Sequence, residues 1–181
     1  MAGAEEDDRL VAQAGQGDAS AFRHLVDRHA RRVLALARSV IGSQEDAEEV
    51  TQEVFLTVWK QAGSWQPGRA RFSTWLHRVT LNQSLNHRQR VVSRDEPLDH
   101  APEPEDPSPA PDEAMAYSQR RARITGAMAA LPENQRTAIM LSVASGLSNG
   151  EVAAVMGLSV KAVEALLVRA RRRLREVAKQ E

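Results

Sequence analysis

Apolar residues recur at three- and four-residue steps in several separate stretches of this chain, the period of amphipathic helices. From Asp18 to Ile41, Phe22, Leu25, Val26, His29, Val33, Leu36 and Val40 form one stripe, with Asp18 or Ser20 placed to cap its start. Gly42-Ser43 breaks the pattern and opens a second helix running from Ser43 to about Ala62. Its apolar side is Ala47, Val50, Val54 and Val58, with Phe55 and Leu56 offset. A loop follows, with turn chemistry at Pro67-Gly68 and one aromatic, Trp65, beside Arg69 and Arg71. A third helix, Ser73 to about Arg90, turns Phe72, Trp75, Leu76 and Val79 inward and Arg78, Asn82, Asn86, His87, Arg88 and Arg90 outward.

The pattern then stops. Residues 91–115 hold 6 of the 8 prolines, alternate them with acids and offer almost nothing apolar, so they cannot bury enough surface to fold. Beyond them, Tyr117, Arg120, Arg121, Ile124, Met128 and Leu131 predict a helix from about Ala116 to Ala130. Pro132 opens the next helix, continued by Ala138, Ile139, Leu141 and Val143 and ended by Gly146. Two short segments from Ser148 to about Arg173 then carry Ala153, Gly157 and Val163 at the spacing of a helix-turn-helix. The small Ala permits close approach, Gly takes the left-handed turn, and Val makes the second helix's first buried contact. The expected fold is all-α: helical domains at 1–90 and 116–181, joined by a flexible acidic linker at 91–115.

Charge sharpens this division. The chain of 181 residues has a formal net charge of zero, but residues 1–90 carry +1, residues 91–115 carry −7 and residues 116–181 carry +6. A basic C-terminal third built on a helix-turn-helix points to nucleic acid. The absence of cysteine excludes disulfides and thiol chemistry. No run of 18 apolar residues spans a membrane, and the acidic N-terminus lacks the apolar segment of a secretory signal, so a cytoplasmic protein is expected. His24, His29, His77, His87 and His100 show no metal-ligand pairing. No catalytic grouping or phosphate loop stands out, so neither enzyme activity, cofactor nor metal is expected.

Three surfaces carry candidate chemistry. Asp46, Glu49, Gln52 and Glu53 make an acidic face on the second helix, readable as solvated charge at a helix N-terminus or as a dock for a basic partner. Asn82 and Asn86 lie one turn apart beside the Trp65–Arg71 loop, a combination suited to the edges and faces of unstacked bases. On the last helix Val163, Leu166, Leu167, Ala170 and Leu174 make the buried stripe. Lys161, Glu164, Ala165, Val168, Arg169 and Arg172 form the row that would enter a major groove.

In this order the parts resemble a bacterial extracytoplasmic-function (ECF) sigma factor over nearly the full length. DAEEVTQEVFLTVW at Asp46–Trp59 is similar to the family's polymerase-docking helix, and RFSTWLHRVTLNQSLNHRQR at Arg71–Arg90 to its promoter-melting helix. Leu131–Arg175 is similar to its promoter-reading C-terminal domain. The resemblance implies that Asp46, Glu49, Gln52 and Glu53 contact core RNA polymerase. It implies that Trp65, Arg69, Arg71, Arg78, Asn82 and Asn86 handle the single-stranded −10 element, and that the row from Lys161 to Arg172 reads the −35 duplex. It also implies an anti-sigma partner. Glu164 and Ala165 depart from the Lys and Ser common at those positions in the family; Glu164 can accept from cytosine N4 but repels phosphates. The family's promoter sequence therefore does not carry over.

Overall fold

The computed structural model describes residues 2–68, 70–92 and 123–179, and every regular element among them is helical. Helix α1 (Ala2–Gly15) precedes α2 (Ala19–Ile41) and α3 (Gln44–Gln61), and a short 3-10 turn (Ala62–Ser64) leads through the loop to α4 (Phe72–Val92). After the linker come α5 (123–129), α6 (Glu133–Ile139), a π-helical turn (Met140–Ala144), α7 (Asn149–Met156) and α8 (Val160–Lys179). The predicted linker at 91–115 and the start of the helix expected at Ala116 lie, but for residues 91 and 92, outside the described residues, as does Arg69.

Local chemistry sets the helix ends. Asp18 accepts from the amides of Ser20 and Ala21 at the start of α2, and Ser43 accepts from Asp46 N at the start of α3. Ser148 and Glu151 form a reciprocal capping box on α7. Gly157 ends that helix in the left-handed conformation, φ 66°, and Ser159 Oγ accepts from Ala162 N as α8 begins. Ala153 and Val163 are both buried between α7 and α8, so the helix-turn-helix spacing corresponds to real packing.

The first core is aliphatic with an aromatic edge: Leu10, Val11, Leu25, Val33, Val50, Val54, Val58, Phe72 and Leu76 are all buried in it. Helix α1, for which the sequence predicts no element, closes one side. It contributes Leu10, Val11 and Ala14, and its Gly15 lies so near the 3-10 turn that a Cβ would meet Ala62 O at 2.8 Å. The buried Asp7 carboxylate accepts from Arg28 Nε at 2.9 Å and from His29 Nε2 at 3.0 Å. His29 therefore sits in the apolar stripe of α2 with its Nε2 paired and its Nδ1 without a hydrogen-bond partner.

The second core joins α6, α7 and α8 through Leu131, Ala138, Leu141, Leu147, Val152, Val163 and Leu167. Leu36, Val40 and Leu81, from the N-terminal domain, belong to the same cluster, and Leu85 packs against it. The two domains thus meet face to face, α4 against α7. Three expected core positions turn outward instead. Leu56 is exposed on α3 and Ile124 on α5, and Val143 lies on the π-helical turn, whose wider spacing breaks the four-residue register of α6.

Candidate polymerase and nucleic-acid interfaces

The acidic face of α3 divides in two. Glu49 and Gln52 point to solvent, next to the exposed Leu56 and Trp59. Asp46 and Glu53 are half-buried and turn toward α4, where Asp46 Oδ1 lies 3.5 Å from His87 Nε2 and Glu53 Oε2 lies 3.8 Å from Arg90. His87, expected on the outer face of α4, is buried against α3. Asp46 and His87 face each other between α3 and α4 without a hydrogen bond, whereas the outward pair is available to a partner. The exposed Leu56 and Trp59 extend that outward patch with apolar surface, a signal that helical periodicity alone assigns to the core.

On α4 the polar side also divides. Thr74, Leu81, Leu85 and Arg88 make one stripe, and it faces the C-terminal domain: Thr74 Oγ1 donates to Glu151 Oε1 at 3.2 Å, and Arg88 pairs with Glu133 at 2.7 Å. Arg71, just before the helix, reaches the same Glu151 oxygen at 3.3 Å. Arg78, Asn82 and Asn86 lie roughly a quarter turn around and are exposed. The two amides share one solvent-facing side, as expected.

Trp65 is tied down more firmly than a loop aromatic need be. Its indole Nε1 donates to Asp8 Oδ1 at 3.0 Å, and its ring meets Phe72 edge-on at 5.7 Å and Trp75 at 5.5 Å. Aromatic pairs in this geometry add stability beyond their buried area. The loop is therefore positioned by α1 through Asp8, a residue that the sequence did not single out. Four residues of α1 between Asp7 and Val11 hold α2 and the loop at once, which explains an acidic N-terminal helix on a domain otherwise read from α2 onward.

In the C-terminal domain, Lys161, Glu164, Ala165, Val168, Arg169 and Arg172 are all exposed, while Val163, Leu167 and Ala170 are buried. Leu166 is half-buried against the core, not part of the outward row. Val168 is 63% exposed, an unusual position for a valine. Arg171, Arg173 and Arg175 flank the row and add positive potential. Glu151 serves both domains: one oxygen accepts from Ser148 N and Oγ to close the capping box, and the other accepts from Arg71 and Thr74. Burial raises the Glu151 carboxyl, but the Ser148 hydrogen bonds, Arg71 and Thr74 outweigh it and hold it below the usual value, so it is ionised at neutral pH.

Comparison with known proteins brings the two domains under one description. Residues 25–93 match the Sigma-70 region 2 family and residues 121–174 match the Sigma-70 region 4 family. The chain is 34% identical over 179 residues to the RNA polymerase sigma factor CnrH of Cupriavidus metallidurans, covering 94% of this chain and 93% of that one. It belongs to the ECF sigma factors.

The ECF sigma factor RpoE of Cereibacter sphaeroides is 32% identical, covering 88% of this chain and 87% of that protein. The ECF sigma factor SigE of Mycolicibacterium smegmatis is 35% identical over 91% of this chain, which spans 64% of SigE's length. Among solved structures, CnrH in complex with the cytosolic domain of CnrY aligns with a TM-score of 0.71 at 31% identity, covering 97% of this chain and 99% of that one. The RpoE–NepR co-crystal structure from Bartonella quintana shares the fold, with a TM-score of 0.69 at 24% identity and coverage of 87% and 96%. As a sigma factor the chain is a transcription-initiation factor that binds core RNA polymerase and directs it to promoters. Among the described residues no helix is long and apolar enough to cross a membrane, and no group of three or more His, Cys, Asp or Glu could hold a metal ion.

Proposed function

We propose that this sigma factor divides its work among three faces. The outward face of α3, centred on Glu49 and Gln52 with Leu56 and Trp59, docks on core polymerase. The Arg78–Asn82–Asn86 face of α4, with the Trp65–Arg71 loop, captures the melted −10 strand. The Lys161–Arg172 row of α8 reads the −35 duplex. The observation that carries this reading is the separation of the faces: each is solvent-facing and lies on its own helix. Asp46 and Glu53 contribute to docking at second hand, by fixing α3 against α4.

The two promoter readers belong to separate domains, so binding is bivalent and neither half needs high affinity by itself. CnrH is held in its solved structure with the cytosolic domain of another protein, which favours control of this chain by an anti-sigma partner acting on the same faces. The chain acts where polymerase and promoter are, in the cytoplasm, and its role there is regulatory rather than catalytic.

Two variants separate docking from melting. Changing Glu49 and Gln52 together to Ala should weaken association with core polymerase about ten-fold, roughly 1.4 kcal/mol, with the unfolding midpoint unmoved because both residues are exposed. Unchanged co-purification would remove this face from the docking surface. Asn82→Ala should reduce open-complex formation about ten-fold while leaving binding to −35 duplex intact, since one amide lost from a base pocket is of the order of 1–2 kcal/mol. Permanganate footprinting read beside duplex binding checks it, and equal losses in both would contradict base capture.

A further inference from the structure

A cleft of about 460 Å³ opens where α1, α2 and α4 meet the turn between α6 and α7. Gly3, Ala4, Asp7, Arg28, His29, Arg32, Arg71, Ser73, His77 and the Ser145–Leu147 turn line it. We propose that this cleft binds a small phosphate-bearing molecule, of nucleotide size or less, which ties the two domains together in the arrangement seen here.

Apart from Asp7 and the partnerless ring nitrogens His29 Nδ1 and His77 Nε2, the side chains of the lining are rich in donors. Both oxygens of Asp7 are already engaged, one by Arg28 Nε and one by His29 Nε2. Arg28 uses its Nη2 on Gly3 O, and Arg71 uses its Nη1 on Glu151, so each guanidinium is fixed on one side and keeps further N–H groups. Arg32 is exposed at the cleft and pairs with no acid among the described residues. Three guanidiniums around one cavity, two of them held by neighbours, match an oxyanion with several acceptor oxygens. The C-terminal domain supplies the opposite wall, so an occupant touches both domains.

A second observation concerns His77, which is 1% exposed. Its Nδ1 donates to Ser73 O, one turn back on α4, and its Nε2 has no partner. Burial lowers its pKa more than the Ser73 hydrogen bond raises it, so the ring is neutral at neutral pH. The titratable and charged groups around it are Asp7 on α1, Arg28, His29 and Arg32 on α2, Arg71 before α4 and Glu151 on α7. An anion beside this ring favours the imidazolium and offsets the desolvation cost. Binding is then accompanied by proton uptake and tightens as pH falls. The cavity's size and its wall from the second domain suit a free small molecule rather than a duplex.

The test is calorimetric titration of the full-length chain with pyrophosphate, and with a nucleoside triphosphate, at fixed ionic strength and at pH 6.5 and 8. One-site binding is expected, at least three-fold tighter at pH 6.5, with protons taken up. Arg32→Gln should lower affinity at least ten-fold while its thermal unfolding matches the parent, because Arg32 holds no structural contact. The chain lacks cysteine, so dyes placed at Lys60→Cys and Arg175→Cys report interdomain distance, and ligand should narrow the distribution of transfer efficiencies. Absence of binding, or equal affinity in Arg32→Gln, overturns the site. Arg32-dependent binding of scrambled duplex DNA with none of pyrophosphate or nucleotide assigns these groups to the DNA backbone and also overturns it. None of these outcomes depends on whether α4 or α8 reads promoter DNA, which ligand-free transcription assays measure separately.

Discussion

Phe72→Ala is expected to destabilise the N-terminal domain by about 3–5 kcal/mol, the usual range for truncating a buried aromatic. Phe72 is 1% exposed and begins α4. Its ring lies 5.4 Å from His29, 5.7 Å from Trp65 and 5.8 Å from Trp75, centroid to centroid. Removing it opens a void at the point where α2, α4 and the loop carrying Trp65 converge, and the three neighbours cannot all move in to fill it. Chemical unfolding should show a lower midpoint at unchanged slope. At temperatures where the variant is still folded, promoter melting should fall more than −35 duplex binding, because Trp65 has lost one of its two aromatic supports. A loss below about 1 kcal/mol would mean that the cluster is loosely packed and does not position the loop.

Asp7→Ala should cost about 2–4 kcal/mol. Breaking a buried ion pair by removing one partner is strongly destabilising, discounted here because Arg28 is 41% exposed. The buried imidazole of His29 would be left with an unmatched N–H, and α1 would lose its polar anchor to α2. The pH dependence follows from the same carboxylate. Burial raises the Asp7 pKa, but the hydrogen bond from His29 and the charges of His29 and Arg28 outweigh it, and the result lies below the ordinary aspartate value. A carboxylate with a depressed folded pKa contributes stability that is complete above its unfolded value, near 4, and is lost as pH falls through the folded value. The parent should therefore lose stability on acidification below about pH 4 more steeply than Asp7→Ala. Parallel pH profiles of the two proteins would contradict this account of α1.

Most of the helical framework is legible in the sequence because most helices carry their own periodic stripe and several their own cap. Asp18, Ser43 and Gly157 each do locally what their residue types permit. The helix-turn-helix is legible for the same reason: Ala153, Gly157 and Val163 act within a few residues of one another. Helix α1 is different. Its apolar set is only Leu10, Val11 and Ala14, and its polar anchors reach 21 and 22 residues away through Asp7 and 57 residues away through Asp8. Nothing in a local window reports such partners.

The candidate sites are legible to a similar extent. Residue types and spacing place Asn82 with Asn86 and align the α8 row, but periodicity does not tell a polar residue in solvent from one pairing with a neighbouring helix. His87, Asp46 and Glu53 turn inward for that reason. Leu36 and Val40 read as ordinary core positions, yet with Leu81 they complete a core belonging mainly to the other domain. Glu151 is recognisable as a capping residue, while its second oxygen, reaching Arg71 and Thr74, depends on how the domains meet across the linker.

The central claim, one sigma factor with two promoter readers on separate domains, is tested most directly by in vitro transcription with purified core polymerase on a promoter library, using the parent, Asn82→Ala and Arg169→Ala. The account predicts that the parent selects a defined pair of −10 and −35 sequences. Asn82→Ala should lose discrimination or output at the downstream element alone, and Arg169→Ala at the upstream element alone. Transcription by the parent no different from core polymerase by itself, or both variants failing at both elements alike, would contradict it.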